Sequence, residues 1–316
     1  MASSAPHTSE NVSVPSTPRV SIVVPAYNVA ATIAETLQSL LAQTYGDFEL
    51  IIVDDGSRDT TLEVVSHFSD PRIKIIRQIN RGLAGAHNTG IARSCGEYVA
   101  FCDADDLWEP SKLARHVAHL DANPDVGISF SGSLMIDDDS RSLGLAQRPQ
   151  LTGITARDVM LRNPIGNGSA SVLRREALND IAYRPVGETE RDWWFDETFR
   201  QSDDIEGWLR FALVTDWRIE GIPGLLTRYR INSGGLSANI PKQHETWERM
   251  LAKMAVIAPE FVERNGATAR AYQLRYLCRR AIAMRDGDVA AKLAKRSLRS
   301  SIRPLFAEPF KSITTL

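Results

Sequence analysis

What this 316-residue chain lacks narrows it first. It has only three cysteines, Cys95, Cys102 and Cys278, an odd number at scattered spacings. That pattern gives neither a disulfide framework nor a zinc site, and it suits a reducing cytoplasm with the thiols buried as small hydrophobes. No apolar run approaches the roughly eighteen residues of a membrane span, and no signal-peptide core opens the chain. Charge of one sign is also missing: 37 Lys and Arg face 39 Asp and Glu, a net charge of −2. Nucleic acid is therefore not expected as the main partner. Neither a Gly-x-Gly-x-x-Gly after the first apolar run nor a Gly-Lys-Ser/Thr loop is present, so the usual backbone cradles for phosphate are absent. A nucleotide bound here needs another way to offset its diphosphate charge.

What is there is alternation. "RVSIVVPAYN" is a β-branched run stopped by Pro25, and "ATIAETLQSLLAQ" spaces Ile33, Leu37, Leu40 and Leu41 as a helix. "FELIIVDDGS", "RIKIIRQ" and "EYVAFCD" read as further strands, with "TTLEVVSHF", "LAGAHNTGIARS" and "PSKLARHVAHLDANP" as helices between and after them. Continuously apolar strands alternating with helices predict an α/β fold with a mostly parallel sheet covered on both faces. Ligands of such sheets bind beyond the carboxyl ends of the strands. Tyr27 and Asn28 follow the first strand, Asp54 and Asp55 the second, and Asp103, Asp105 and Asp106 the fourth. One crevice should collect Tyr27, Asp55, Asp103 and Asp105.

Two carboxylates at i, i+2 can hold a hard divalent cation that bridges phosphate oxygens, and the cation relieves their mutual repulsion. Alone, the triplet reads equally as a solvated turn or a helix cap near Pro110. Asp54 and Asp55 read as an Asp-Gly-Ser turn capping the next helix, or as a carboxylate that accepts a uracil imide N–H. Further on, Ile205, Trp208, Leu209, Ala212 and Leu213 trace one helix face. Ser202 or Asp203 would cap it, leaving Asp204 in a first turn that favours an ionised carboxylate. His116 and His119 share a helix face with no third ligand nearby and are expected at the surface.

The ordered set "VSIVVPAYNV", "LIIVDDGSRDTT", "RGLAGAHNTGIA", "FCDADDLW", "QSDDIEGWLR" and "YRINSGGLS" resembles the inverting family 2 glycosyltransferases of the GT-A fold. It is most similar to the non-processive bacterial enzymes of exopolysaccharide assembly, over about Val20 to Ala238. The resemblance implies a Rossmann-like, nucleotide-binding mixed sheet covered by helices, with a C-terminal helical extension. It implies that Pro25, Tyr27 and Asp55 line a uridine pocket with Asn28 close by. Asp103 would face the ribose or the metal shell, Asp105 would coordinate Mg2+ or Mn2+, and Asp204 would be the general base. The implied reaction moves one hexose from a UDP-sugar to a saccharide acceptor, expected to be linked to a polyprenyl diphosphate. Two departures stand out: the "Ala-Arg-Asn" common in relatives is Ala86-His87-Asn88 here, and a position where many relatives carry histidine is Asn232. Readings kept open are a catalytically inactive sugar-nucleotide-binding module and a sugar-nucleotide nucleotidyltransferase, although the glycine-rich loop and lysine of the latter are missing from "VPAYNVAAT".

The expected organisation is a disordered leader over 1–18, a nucleotide-sugar-binding half over 19–135, an acceptor-binding half over 136–240 and a helical extension over 241–316. The extension should be two helices turning at Asp286-Gly287. It interleaves Arg275, Arg279, Arg280, Lys292, Lys295, Arg296, Arg299 and Arg303 with Leu277, Leu293, Leu298 and Ile302. Such a pattern suits either a hairpin packed on the catalytic domain or a basic amphipathic surface on anionic lipid. The expected location is the cytoplasm, peripheral to the inner membrane.

Overall fold

The structure is a computed structural model and describes residues 17–231 and 240–308. The expected leader lies outside the described residues as far as residue 16, and so does Asn232. Strand and helix alternate through β1 (Val20–Ala26), α1 (Ile33–Leu41), β2 (Phe48–Asp54), α2 (Thr61–Ser66), β3 (Ile73–Arg77), α3 (Gly82–Arg93) and β4 (Tyr98–Phe101). There follow β5 (Leu107–Trp108), α4 (Lys112–Ala122), β6 (Val126–Ile136), β7 (Ser142–Gln147), α5 (Ala156–Arg162), β8 (Ser171–Arg174), α6 (Arg175–Asn179), α7 (Asp203–Val214) and β9 (Arg218–Arg230). The chain closes with α8 (Ile240–Ile257), α9 (Pro259–Ala283), α10 (Gly287–Ser300) and α11 (Arg303–Ala307).

All the strands join one nine-stranded sheet in the order β3-β2-β1-β4-β8-β6-β9-β5, with β7 on β6. The parallel sheet expected from the first half is present from β3 to β4. Beyond β4 the sheet is mixed: β8 runs antiparallel to β4 and β6, β6 is parallel to β9, and β5 is antiparallel to β9. Successive side chains of β1 point to opposite, covered faces, so it is apolar except for Ser21, which donates to Glu49 Oε1 at 2.6 Å. Ile22 and Val24 pack with Leu37, Leu113 and Val117 on the face of α1 and α4. Val23 points the other way, into a core with Ile91, Trp208, Phe211 and Met250. Each such burial stabilises by about 1.5–3 kcal/mol, so both faces hold the sheet.

Three local expectations are corrected. Pro25 does not stop β1: it pairs in register with Val53, and the β1–β4 ladder has already ended at Val23 and Phe101. The N–H that proline lacks therefore has no strand partner to lose on that side. His116 and His119 are not surface residues. His116 is fully buried, and both rings bond Ser129 Oγ, at 2.7 and 2.9 Å. Cys102 and Cys278 are buried as expected, but Cys95 is exposed, with its thiol 3.2 Å from Glu49 Oε1.

At the C-terminal end α9 and α10 pair through Leu274, Leu277, Ala281 and Leu293. Asp286 caps α10 by accepting the Val289 N–H at 3.1 Å, at the turn the sequence marks. Among the described residues no helix is long and apolar enough to cross a membrane.

Candidate active site

The carboxyl ends of β1, β2 and β4 present the polar residues together. Asn28 adopts a left-handed backbone, φ 53°, which asparagine tolerates. Its side-chain oxygen accepts the Arg58 N–H at 2.8 Å, and its own N–H donates to Ser57 Oγ at 3.1 Å. That clamp joins the β1 loop to the β2 loop. Beside it the Tyr27 ring is 46% exposed, open for a planar group to stack on.

Asp55 is buried at the end of β2. It accepts from Gln78 Nε2 at 2.7 Å and from the N–H groups of Arg81 and Gly82, each at 2.8 Å. The expected Asp-Gly-Ser turn is present, with Asp54 accepting the Ser57 N–H at 3.1 Å, but it does not cap the next helix; Asp55 holds the start of α3, the helix after β3. α2 is served instead by Asp59, which accepts the Thr61 N–H at 3.0 Å. Burial pushes the Asp55 carboxyl up, against these hydrogen bonds and the nearby charge of Arg200. Gly82 has φ 81°, and a Cβ there would run into the Arg200 guanidinium. Arg200 thus reaches from the segment before α7 to the mouth of the Asp55 pocket.

The aspartate triplet divides by function. Asp106 is fully buried, and its Oδ1 accepts the Arg230 N–H at 2.9 Å. The Arg230 guanidinium in turn donates to the backbone carbonyls of Asp105, at 2.8 Å, and Asp137, at 2.7 Å. Asp106 is a structural fastener between the β4 loop and β9. Asp103 and Asp105 are half-buried at the loop surface, and the Asp103 N–H is fixed by Ser169 Oγ at 2.8 Å. Burial and then the Asp105 charge push the Asp103 carboxyl up to about 6, with His87 opposing.

Two oxygen-donor side chains whose charges repel fit a divalent cation. Among the described residues no third His, Cys, Asp or Glu completes an all-protein cage. An ion held by one or two carboxylates plus substrate phosphate oxygens and water is the usual arrangement for magnesium. Asp103 and Asp105 fit that donor set.

α7 begins where Ser202, in a left-handed N-cap with φ 58°, turns the chain. Asp203 is its first residue and is buried, while Asp204 is half-buried beside it. The helix end was expected to favour ionised Asp204. Burial and the charge of Asp203 outweigh it, with Asp103 adding to them, and they push the Asp204 carboxyl up to about 7. The charges of Asp203 and His87 act on both Asp103 and Asp204, so the expected base and the expected metal loop face one electrostatic site.

Two further residues hold this arrangement, and both lie in "AHN". His87 is buried edge-on to Phe101, with ring centroids 5.0 Å apart, and against Phe195 at 5.3 Å. Asn88 receives the N–H groups of Trp194 and Phe195 on its oxygen, each at 2.9 Å, and donates to the Phe195 carbonyl at 2.8 Å. It ties α3 to the segment that leads into α7. In the sequence they showed only through the Ala86-His87-Asn88 motif and its departure from "Ala-Arg-Asn". Glu206, also in the first turn of α7, is committed to ion pairs with Arg210 at 2.9 Å and Lys253 at 2.8 Å.

Comparison with known proteins adds three findings. The family model described as glycosyl transferase family 2 matches residues 21–182. Among curated relatives, the UDP-Glc:alpha-D-GlcNAc-diphosphoundecaprenol beta-1,3-glucosyltransferase WfgD of Escherichia coli is 31% identical over 262 residues, 82% of this chain and 92% of that one. The succinoglycan biosynthesis protein ExoO of Rhizobium meliloti is 30% identical, covering 93% of this chain and 82% of that one. The match to an uncharacterized glycosyltransferase of Nostoc sp., 36% identical, takes in 52% of this chain and spans about half of that protein's length (53%). Among solved structures, S. aureus TarS 1-349 in complex with UDP superposes with a TM-score of 0.60 over 94% of this chain and 88% of that one, at 18% identity. The fold is the GT-A fold that the sequence motifs imply.

Proposed function

The chain belongs to glycosyl transferase family 2, and on that premise we propose that it moves one hexose from a UDP-sugar to a saccharide acceptor with inversion at the anomeric carbon. The observation that carries the reading is the placement of Asp103 and Asp105 just after β4 and of Asp204 at the start of α7, two segments joined by His87, which packs on Phe101 and stands 3.6 Å from Asp203. A base and a metal-binding carboxylate so placed can act on the forming bond and on the breaking bond of one displacement.

Tyr27 stacks on the uracil, and Asp55 accepts its imide N–H on the one lone pair, on Oδ2, left by its three structural bonds. Pro25 and Asn28 shape the floor of that pocket. Asp103 and Asp105 would hold Mg2+ or Mn2+, which when bound would offset the charge gathering on the departing diphosphate. Asp204 takes the proton from the acceptor hydroxyl as its oxygen attacks. A carboxyl raised to about 7 is a stronger base than an ordinary one, while still ionised in a useful fraction near neutrality. One displacement with the base opposite the leaving group converts an α-linked donor into a β-glycoside.

Glucose is the leading donor sugar. The acceptor is a lipid-linked saccharide, such as one on a polyprenyl diphosphate, in exopolysaccharide or cell-surface glycan assembly. Support for the donor and the lipid-linked acceptor comes from what WfgD is named for, and support for polysaccharide assembly from what ExoO is named for.

The test is UDP release from a panel of UDP-sugars with a polyprenyl-diphosphate-linked acceptor, with and without EDTA. Release that needs the metal, with at least one donor, is expected. A UDP-sugar that binds but is never consumed would mean an inactive binding module. Synthesis of the UDP-sugar from UTP and a sugar phosphate would mean a nucleotidyltransferase.

A further inference from the structure

The helical extension was open to two readings, and the structure divides its residues between them. Leu277 and Leu293 are buried between α9 and α10, and the Arg275 guanidinium is buried and donates to the Pro304 carbonyl at 3.0 Å. These residues are packing. Lys292, Lys295, Leu298 and Arg299 of α10 instead point to solvent, and so do Ile302, Arg303 and Phe306 just beyond it. Leu298 is 36%, Ile302 57% and Phe306 78% exposed, an unusual cost for three apolar side chains so close in sequence. From Val289 to Ala307 the chain has five cations and no carboxylate. Among the described residues no ion pair engages Lys292, Lys295, Arg299 or Arg303.

We propose that the outer side of α10 together with Ile302 and Phe306 docks on the surface of an anionic lipid bilayer. Charge complementarity selects this occupant: cations meet lipid phosphates while Ile302 and Phe306 enter the boundary with the acyl chains. A second copy of the chain fits poorly, because a two-fold contact through this patch would set the same cations against themselves. The inner side of α10 is already used on α9, so the contact is a basic platform with two apolar pegs. It is peripheral and reversible, and it weakens with salt.

The experiment is co-sedimentation of the full chain with vesicles of phosphatidylcholine alone or mixed with phosphatidylglycerol, at low and high salt. It contains no sugar, so its outcome is independent of the transfer reaction. Binding is expected on anionic vesicles at low salt, with release at high salt. Replacing Lys292, Lys295, Arg299 and Arg303 with Gln should lower the partition coefficient by about a hundredfold or more, since each charge near the surface contributes roughly fivefold. The pair Ile302→Ser and Phe306→Ser should weaken binding while keeping its salt dependence. All these side chains are exposed, so circular dichroism should show a retained fold. Equal partitioning on neutral and anionic vesicles, or none on either, overturns the proposal. So does tighter binding to an RNA oligomer than to vesicles, or a concentration-dependent dimer that the serine pair abolishes.

Discussion

His87 Nδ1 stands 3.6 Å from Asp203 Oδ2, with both side chains buried and neither atom engaged in a hydrogen bond among the described residues. The contact spans from α3, whose start Asp55 caps, to the residue before the proposed base. It joins α3 to the start of α7. Set among the carboxylates of Asp103 and Asp204, the buried Asp203 Oδ2 has in His87 a neighbour that can offset its charge. His87→Leu keeps the packing between Phe101 and Phe195 and removes that neighbour. Urea unfolding should then show a loss of roughly 1–3 kcal/mol. A variant as stable as the parent would mean that the contact carries no energy.

The proposed metal pair, Asp103 and Asp105, predicts a separable effect. Asp105→Asn removes one charge at nearly constant shape, so the fold should survive and transfer should collapse. UDP affinity measured by calorimetry should lose its response to Mn2+. A folded variant that still binds UDP more tightly with Mn2+ would transfer the metal role to other residues.

Stability should depend on pH and metal together. Asp103 and Asp204 are raised, to about 6 and about 7, so between about pH 4 and 7 the native state binds more protons than the unfolded chain. Their contribution is largest at the acid end of that window and is lost as pH rises through it. A divalent cation should cancel the repulsion only where the carboxylates are ionised. Differential scanning fluorimetry should therefore show a larger rise in Tm with Mn2+ and UDP at pH 7.5 than at pH 5. A rise independent of pH would contradict the placement of the ion between these groups.

The parts legible in the sequence were those set by local pattern. The strands from β1 to β4 are short apolar runs bounded by turn residues, and the polar residues that follow them share one sheet edge by topology alone. Asp103, Asp105 and Asp106 looked alike because the chain gives three adjacent carboxylates and only the fold buries one. Asp106 became a fastener when β9, 124 residues later, brought the Arg230 N–H to it. β6 and β9 themselves were illegible: Gly127, Ser129, Ser131, Gly132 and Ser133 dilute the β-branched signal in β6, and its pairing with β9 is long-range. His87 showed in the sequence only as a departure from "Ala-Arg-Asn". Its aromatic cage comes from Phe101 and Phe195, which are distant in sequence. Asn232 lies outside the described residues, so the effect of that departure rests on the sequence alone.

Asp204 should separate binding from chemistry. Asp204→Asn is expected to keep UDP-sugar affinity and to lower transfer by about two to four orders of magnitude, the scale of losing a general base. Transfer by the parent should rise with pH through about 7 as Asp204 ionises, and the variant's residual rate should lack that rise. Parent-like rates in the variant would make another carboxylate the base, with Asp203 the nearest.

The anomeric configuration of the product tests the central claim most directly. Proton NMR of the saccharide formed from an α-linked UDP-sugar should show a β-glycoside, because a single displacement with Asp204 opposite the departing UDP permits no other outcome. An α-glycoside would mean retention, leave Asp204 without its role, and contradict the account.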